Sequence, residues 1–136
     1  MGFDPNRDYP LGACRPELVR TPAGTPLEEV TLDAARSGRL TGGEIRATPT
    51  TLRLQADVAR AAGRSQLAEN LERASELAAI PDDELLEIYT ALRPRRSTAA
   101  ELEAWAERLE EWDAPRTAAF VREAAAAYAE RSLLAL

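Results

Sequence analysis

From residue 48 onward the chain is divided by residues that start or stop helices, and this punctuation constrains the fold more than any other feature. Thr48 precedes Pro49, a pair suited to an N-cap and a first helical position, where a missing N–H costs nothing. The helix it opens runs through TTLRLQADVARAA and ends at Gly63, a natural left-handed terminator. Ser65 can open the next helix, whose apolar stripe reads Leu67, Leu71, Ala74 and Ala78. Pro81 stops that helix and starts another, with Asp82, Asp83 and Glu84 in a first turn where the helix dipole favours anions. Its apolar face is Leu85, Ile88, Tyr89 and Leu92. Thr98 and Glu101 have the spacing of a reciprocal capping box, followed by Leu102, Trp105, Ala106, Leu109 and Trp112 on one face. Asp113 is expected to cap the last helix, with Pro115 in its first turn and a stripe of Ala118, Val121, Ala125 and Tyr128. No alternating apolar pattern supports a strand.

Residues 1 to about 47 differ in kind, holding five of the nine prolines and six of the seven glycines. Thr25-Pro26-Leu27-Glu28 reads as a second capping box opening a short helix to Gly38, with Thr31 as an alternative start. Thr41-Gly42-Gly43-Glu44 can add one turn. No regular element is legible before residue 25, yet Tyr9, Pro10, Leu11, Leu18 and Val19 are too apolar for a free tail. The expectation is an all-α fold: a small helical bundle of about five main helices with an extended, Pro/Gly-rich N-terminal arm. The arm spans residues 1–25 and the helical domain residues 26–136.

Composition narrows the chemistry. The chain has no His and no Lys, all seventeen cations are Arg, and Cys14 is its single Cys. That excludes a histidine-based nucleophile system, His-bound zinc, a Schiff-base or P-loop lysine, and an intramolecular disulfide. The net charge of −6 disfavours nucleic acid, and no apolar run is long enough to span a membrane. The opening MGFDPNRDYP lacks the apolar stretch of a secretory signal, so a cytoplasmic location is expected.

The candidate sites have bland readings beside functional ones. Asp82-Asp83-Glu84 fits a solvated first turn better than a metal site, because consecutive helical residues point apart. Arg93, Arg95 and Arg96 flank Pro94 at a helix C-terminus. They can complement the helix dipole and bond its last carbonyls, or they can meet carboxylates on a partner. Tyr89, Trp105 and Trp112 can be core residues or interface anchors. No residue is assigned a catalytic, cofactor-binding or metal-binding role. The candidate partner contacts are Tyr9, Pro10, Leu11, Leu18, Val19, Tyr89, Arg93, Arg95 and Arg96.

Several ordered blocks carry a resemblance: DYPL at 8–11, RTPAGTPLEEVTL at 20–32, TPTTLRLQA at 48–56, AGRSQLAENLERASEL at 62–77, IPDDELLEIYTALRPRRST at 80–98 and AAFVREAA at 118–125. In order and spacing they resemble the small (gamma) subunits of adenosylcobalamin-dependent diol and glycerol dehydratases, the propanediol type more than the glycerol type. The resemblance implies a heterohexamer of two large, two medium and two small subunits, α2β2γ2. It also implies that substrate, metal and adenosylcobalamin reside on the partner chains, where diols become aldehydes by a radical mechanism. Some members of that family carry a longer N-terminal extension linked to packing in a bacterial microcompartment; about seven residues precede DYPL here. The reading from another class is a free-standing helical adaptor.

Overall fold

A computed structural model describes residues 2–136. Among them are seven α-helices and no strand: α1 (Leu11–Cys14), α2 (Leu32–Arg36), α3 (Pro49–Ala61), α4 (Ser65–Leu77), α5 (Asp82–Ala91), α6 (Ala99–Glu111) and α7 (Pro115–Glu130). The five long ones are the expected main helices. The chain forms two compact units, residues 1–78 and 79–136.

In the first unit, α3 and α4 pack as a hairpin. Thr48 caps α3 by accepting the Thr51 N–H at 3.2 Å, with Pro49 at the first helical position. Gly63, at φ 73°, closes it. The Gly63 N–H donates to the Arg60 carbonyl at 3.0 Å and the Arg64 N–H to the Ala59 carbonyl at 2.8 Å, a Schellman closure. Ala56, Ala59 and Ala68 are buried together, with Leu71 packed against them. Small side chains let the two helices approach closely. That approach also corrects the expected α4 stripe. The buried positions are Ala68, Ser75 and Glu76, whereas Leu67 is 43% exposed and Ala78 is exposed. An alanine surface on α3 is matched by the small residue one position along, and the larger Leu67 moves to the edge. Ser65 lies inside the helix and makes no cap; Arg64 holds the N-cap position.

Residues that looked irregular are ordered by short turns. Leu11–Cys14 is one helical turn, and Pro16–Leu18 and Leu27–Glu29 are 3₁₀ turns. The segment Thr21–Thr25 folds back on itself: Thr21 N–H donates to Thr25 O at 3.0 Å, Thr25 N–H to Thr21 Oγ1 at 3.0 Å, and Gly24 supplies φ 91°. Thr25 therefore caps no helix. Its hydroxyl instead donates to Glu44 Oε1 at 2.9 Å. Thr31, the alternative start, caps α2 through the Ala34 N–H at 3.1 Å, and Gly38 ends it at φ 75°.

In the second unit α6 packs on α7. The capping box is complete. Thr98 Oγ1 accepts the Glu101 N–H at 3.3 Å, and Glu101 Oε2 accepts the Thr98 N–H at 2.8 Å. The core holds Ile88, Leu102, Ala106, Leu109, Ala114, Ala118 and Val121. Asp113 does not cap α7. It sits at φ 56° as the left-handed residue ending α6, with its N–H on Glu110 O at 3.0 Å and the Ala114 N–H on Leu109 O at 2.9 Å. Aspartate tolerates that conformation better than most non-glycine residues, so the same letter that suits an N-cap also suits a helix terminus.

Two substitutions test this account by urea unfolding followed by circular dichroism. Leu109→Ala removes a fully buried side chain and is expected to cost about 2–5 kcal/mol. Thr98→Ala, which removes the cap, is expected to cost about 1 kcal/mol.

Candidate partner interface

Helix α5 and the turn behind it form an exposed corner. The helix ends at Ala91, and its last carbonyls find tertiary partners: Ser97 Oγ donates to Ala91 O at 3.0 Å and Tyr128 Oη to Leu92 O at 2.6 Å. The turn is held from behind as well. The Arg95 N–H donates to Leu133 O at 2.6 Å, and the Ala135 N–H donates to Ser97 O at 2.9 Å. Arg95 adopts φ 63°. The Ala91 and Leu92 carbonyls are thus satisfied without any arginine side chain, which leaves dipole complementation as the bland reading of the basic cluster. Arg93, Arg95 and Arg96 are exposed, and their guanidinium groups form no ion pair within the described residues.

Tyr89, expected on the inward face of α5, is 59% exposed, and Leu86, three residues before it, is 68% exposed. Residues 86 and 89 follow helical spacing for one face, and Arg93 follows just beyond the end of α5. A groove of about 430 Å³ lies beside them, lined by Leu86, Glu87, Thr90, Ala91, Arg96, Ser97 and Trp105. Leu86 was missed in the sequence. Its signal was a leucine standing outside the apolar stripe of its own helix.

The N-terminal candidates lie in the other unit. Tyr9 is 58% exposed and, with Pro5, lines a groove of about 420 Å³ against Val58, Leu67 and Leu71 of α3 and α4. Pro10 is exposed, Leu18 and Val19 are half-buried, and Leu11 is 2% exposed, so Leu11 serves as an internal anchor of the segment. Val19 lines a separate groove of about 260 Å³ with Leu27, Val30 and Ile45, of which Ile45 is largely exposed.

Asp8 organises this segment. It is 4% exposed and accepts from Arg7 Nε at 2.9 Å, from the Asp4 N–H at 2.9 Å and from Arg15 Nη1 at 2.8 Å. The Arg7 guanidinium first, then the Asp4 N–H and Arg15, hold its carboxyl far below the usual aspartate range. Adjacent opposite charges at Arg7-Asp8 were the visible hint of this network.

The remaining candidates fall into structural roles. Trp105 and Trp112 are half-buried and flank the Arg108 guanidinium at 5.3 and 4.9 Å from their ring centroids, while Arg108 also pairs with Glu84. Glu110 and Glu103 share Arg122, which holds the Glu110 carboxyl below its ordinary range. Cys14 is exposed, with its thiol 3.5 Å from the Tyr9 carbonyl oxygen. Among the described residues no cluster of three or more His, Cys, Asp or Glu side chains is arranged to hold a metal. No helix of the described residues is long and apolar enough to cross a membrane.

These features define a helical module with exposed apolar side chains and open grooves on its surface. The chain belongs to the dehydratase small-subunit family, whose model, "Dehydratase small subunit", matches residues 5–135. It is 54% identical over 128 residues to the propanediol dehydratase small subunit of Citrobacter freundii, covering 93% of this chain and 74% of that one. Against the propanediol dehydratase small subunit of Salmonella typhimurium strain LT2 it is 53% identical over 128 residues, with the same coverage. It is thus similar to one component of a multi-subunit enzyme, and its family implies partner subunits.

The Asp8 network generates a pH prediction. Folding lowers the proton affinity of Asp8, so its contribution is fully present above the ordinary aspartate value of 3.8 and is lost as pH falls through the lower folded value. Amide hydrogen exchange of residues 4–15 is expected to show protection, corrected for intrinsic rates, that is flat from neutrality down to about pH 4 and then declines. Asp8→Asn is expected to lower that protection at neutral pH and to flatten its acid dependence.

Proposed function

We propose that this chain is the noncatalytic small subunit of an adenosylcobalamin-dependent diol dehydratase, where it supports assembly on the large subunit. The similarity to two propanediol dehydratase small subunits over 93% of the chain carries this reading. It extends to an α2β2γ2 complex with large and medium subunits. That complex converts 1,2-diols, propane-1,2-diol first and glycerol second, to aldehydes by a radical mechanism.

The chain's own residues do not fit cobalamin or a catalytic metal. There is no His to offer either one, and the described carboxylates form no metal-binding cluster. The two grooves of the first unit are lined mainly by apolar side chains. In this reading substrate, metal and adenosylcobalamin are held by the partner subunits, and this chain contributes surface. Residues 1–25 act as an arm against the large subunit through Tyr9, Pro10, Leu18 and Val19, with Leu11 holding the arm in shape. Residues 26–136 form the helical domain, which contributes Tyr89, Arg93, Arg95 and Arg96. The complex is cytoplasmic, and a bacterial microcompartment is the alternative location.

Co-expression with large and medium dehydratase subunits tests the proposal. The expected result is a stable ternary complex with diol dehydratase activity. A holoenzyme of full activity and stability without this chain overturns it. Deleting residues 1–24 is expected to weaken association more than it reduces the helical signal of the remaining chain. Unchanged complex stability after that deletion would remove the arm from the interface.

A further inference from the structure

We propose that the α5–α6 corner binds an acidic segment of a partner dehydratase subunit, one that sets an apolar side chain beside its carboxylates. The inference rests on the subunit reading for the partner's identity; the chemistry of the site is read from the corner itself.

Three observations converge. First, five arginines form ion pairs with carboxylates of their own chain, namely Arg7, Arg15, Arg60, Arg108 and Arg122. Arg93, Arg95 and Arg96 form no ion pair among the described residues, and they lie within four positions of one another. Three unpaired guanidinium groups within four residues repel one another, and a partner's carboxylates relieve that repulsion. Second, the backbone presenting them is fixed by Ser97, Tyr128, Leu133 and Ala135. A held turn loses little further entropy on binding, and arginine's planar fork takes a carboxylate through two parallel hydrogen bonds. Third, Arg96 stands on the rim of the groove lined by Leu86 and Trp105. Cation and apolar slot thus belong to one surface. In the first unit one groove carries Arg64, and the other sets Arg20 and Arg46 beside Glu44.

A carboxylate partner is favoured over a polyphosphate. Residues 48–136 hold sixteen acids against eleven arginines, a field that resists a long polyanion. A short acidic segment meets only the local cluster, within a Debye length of roughly 10 Å at 0.1 M salt.

The test uses the complex with the large and medium subunits and measures the affinity of this chain at about 50 mM and about 300 mM salt. The Arg93→Glu/Arg96→Glu double variant leaves the left-handed Arg95 untouched. Neither side chain has a partner among the described residues, so the melting curve should match the wild type. Binding is expected to weaken tenfold or more, with loss of the salt dependence seen in the wild type. Leu86→Ser is expected to weaken binding while retaining that dependence. Wild-type assembly with an unaffected double variant overturns the corner site and leaves the subunit reading standing. Failure of the wild-type chain to bind either subunit overturns both. Binding of a fluorescent oligonucleotide that the double variant abolishes, with subunit affinity unchanged, assigns the cluster to nucleic acid and also overturns the proposal.

Discussion

The last four carbonyls of an α-helix have no partner within it, and how each helix answers that requirement shapes this chain. Helices α2, α3, α6 and α7 give the same answer. A left-handed residue follows the C-cap: Gly38, Gly63, Asp113 and Ser132 respectively. The next residue donates back into the last turn, as Arg39, Arg64, Ala114 and Leu133 do. These closures are local and reverse the chain within a few residues, which brings α4 onto α3 and α7 onto α6. Helix α5 is different. Its final carbonyls are satisfied by Ser97 and by Tyr128, thirty-six positions from Leu92. The arginines that follow are therefore spared from capping and remain outside.

The core obeys a related economy of size. Alanines at 56, 59 and 68 in the first unit and at 106, 114 and 118 in the second are fully or nearly fully buried. Close approach of helices through small residues leaves larger side chains at the margins. Leu67, Leu86 and Tyr89 are exposed there, and Leu67 and Leu86 line grooves. Dense interiors of small residues and apolar margins suit a protein whose surface completes something larger.

The helical architecture was legible because its signals are local. Thr48-Pro49, Gly63, Pro81 and the Thr98–Glu101 box act through bonds within a turn, and each falls where the structure uses it. The misreadings share a cause: residues with two good uses. Asp113 can cap a helix or end one, Thr25 can open a helix or reach Glu44, and only tertiary context decides. The α4 stripe was displaced because hydrophobicity alone favours leucine, whereas close packing favours alanine. In the candidate interface, the arginine cluster was visible as sequence, but its freedom from carbonyl capping was not, since Ser97 and Tyr128 act from outside the helix. The burial of Leu11 and Asp8 likewise depends on how the N-terminal segment folds onto its own unit.

The bonds that join Tyr128, Leu133 and Ala135 with the α5–α6 turn have a consequence for order in time. A polypeptide is made from its N-terminus, so Arg93, Arg95 and Arg96 emerge well before the residues that hold their backbone in place. During synthesis the three cations are present on a turn that has not yet been braced. The corner acquires the bonds to Leu133 and Ala135 once the segment beyond α7 folds back across it. The shape of this surface is thereby tied to residues made some thirty to forty positions later.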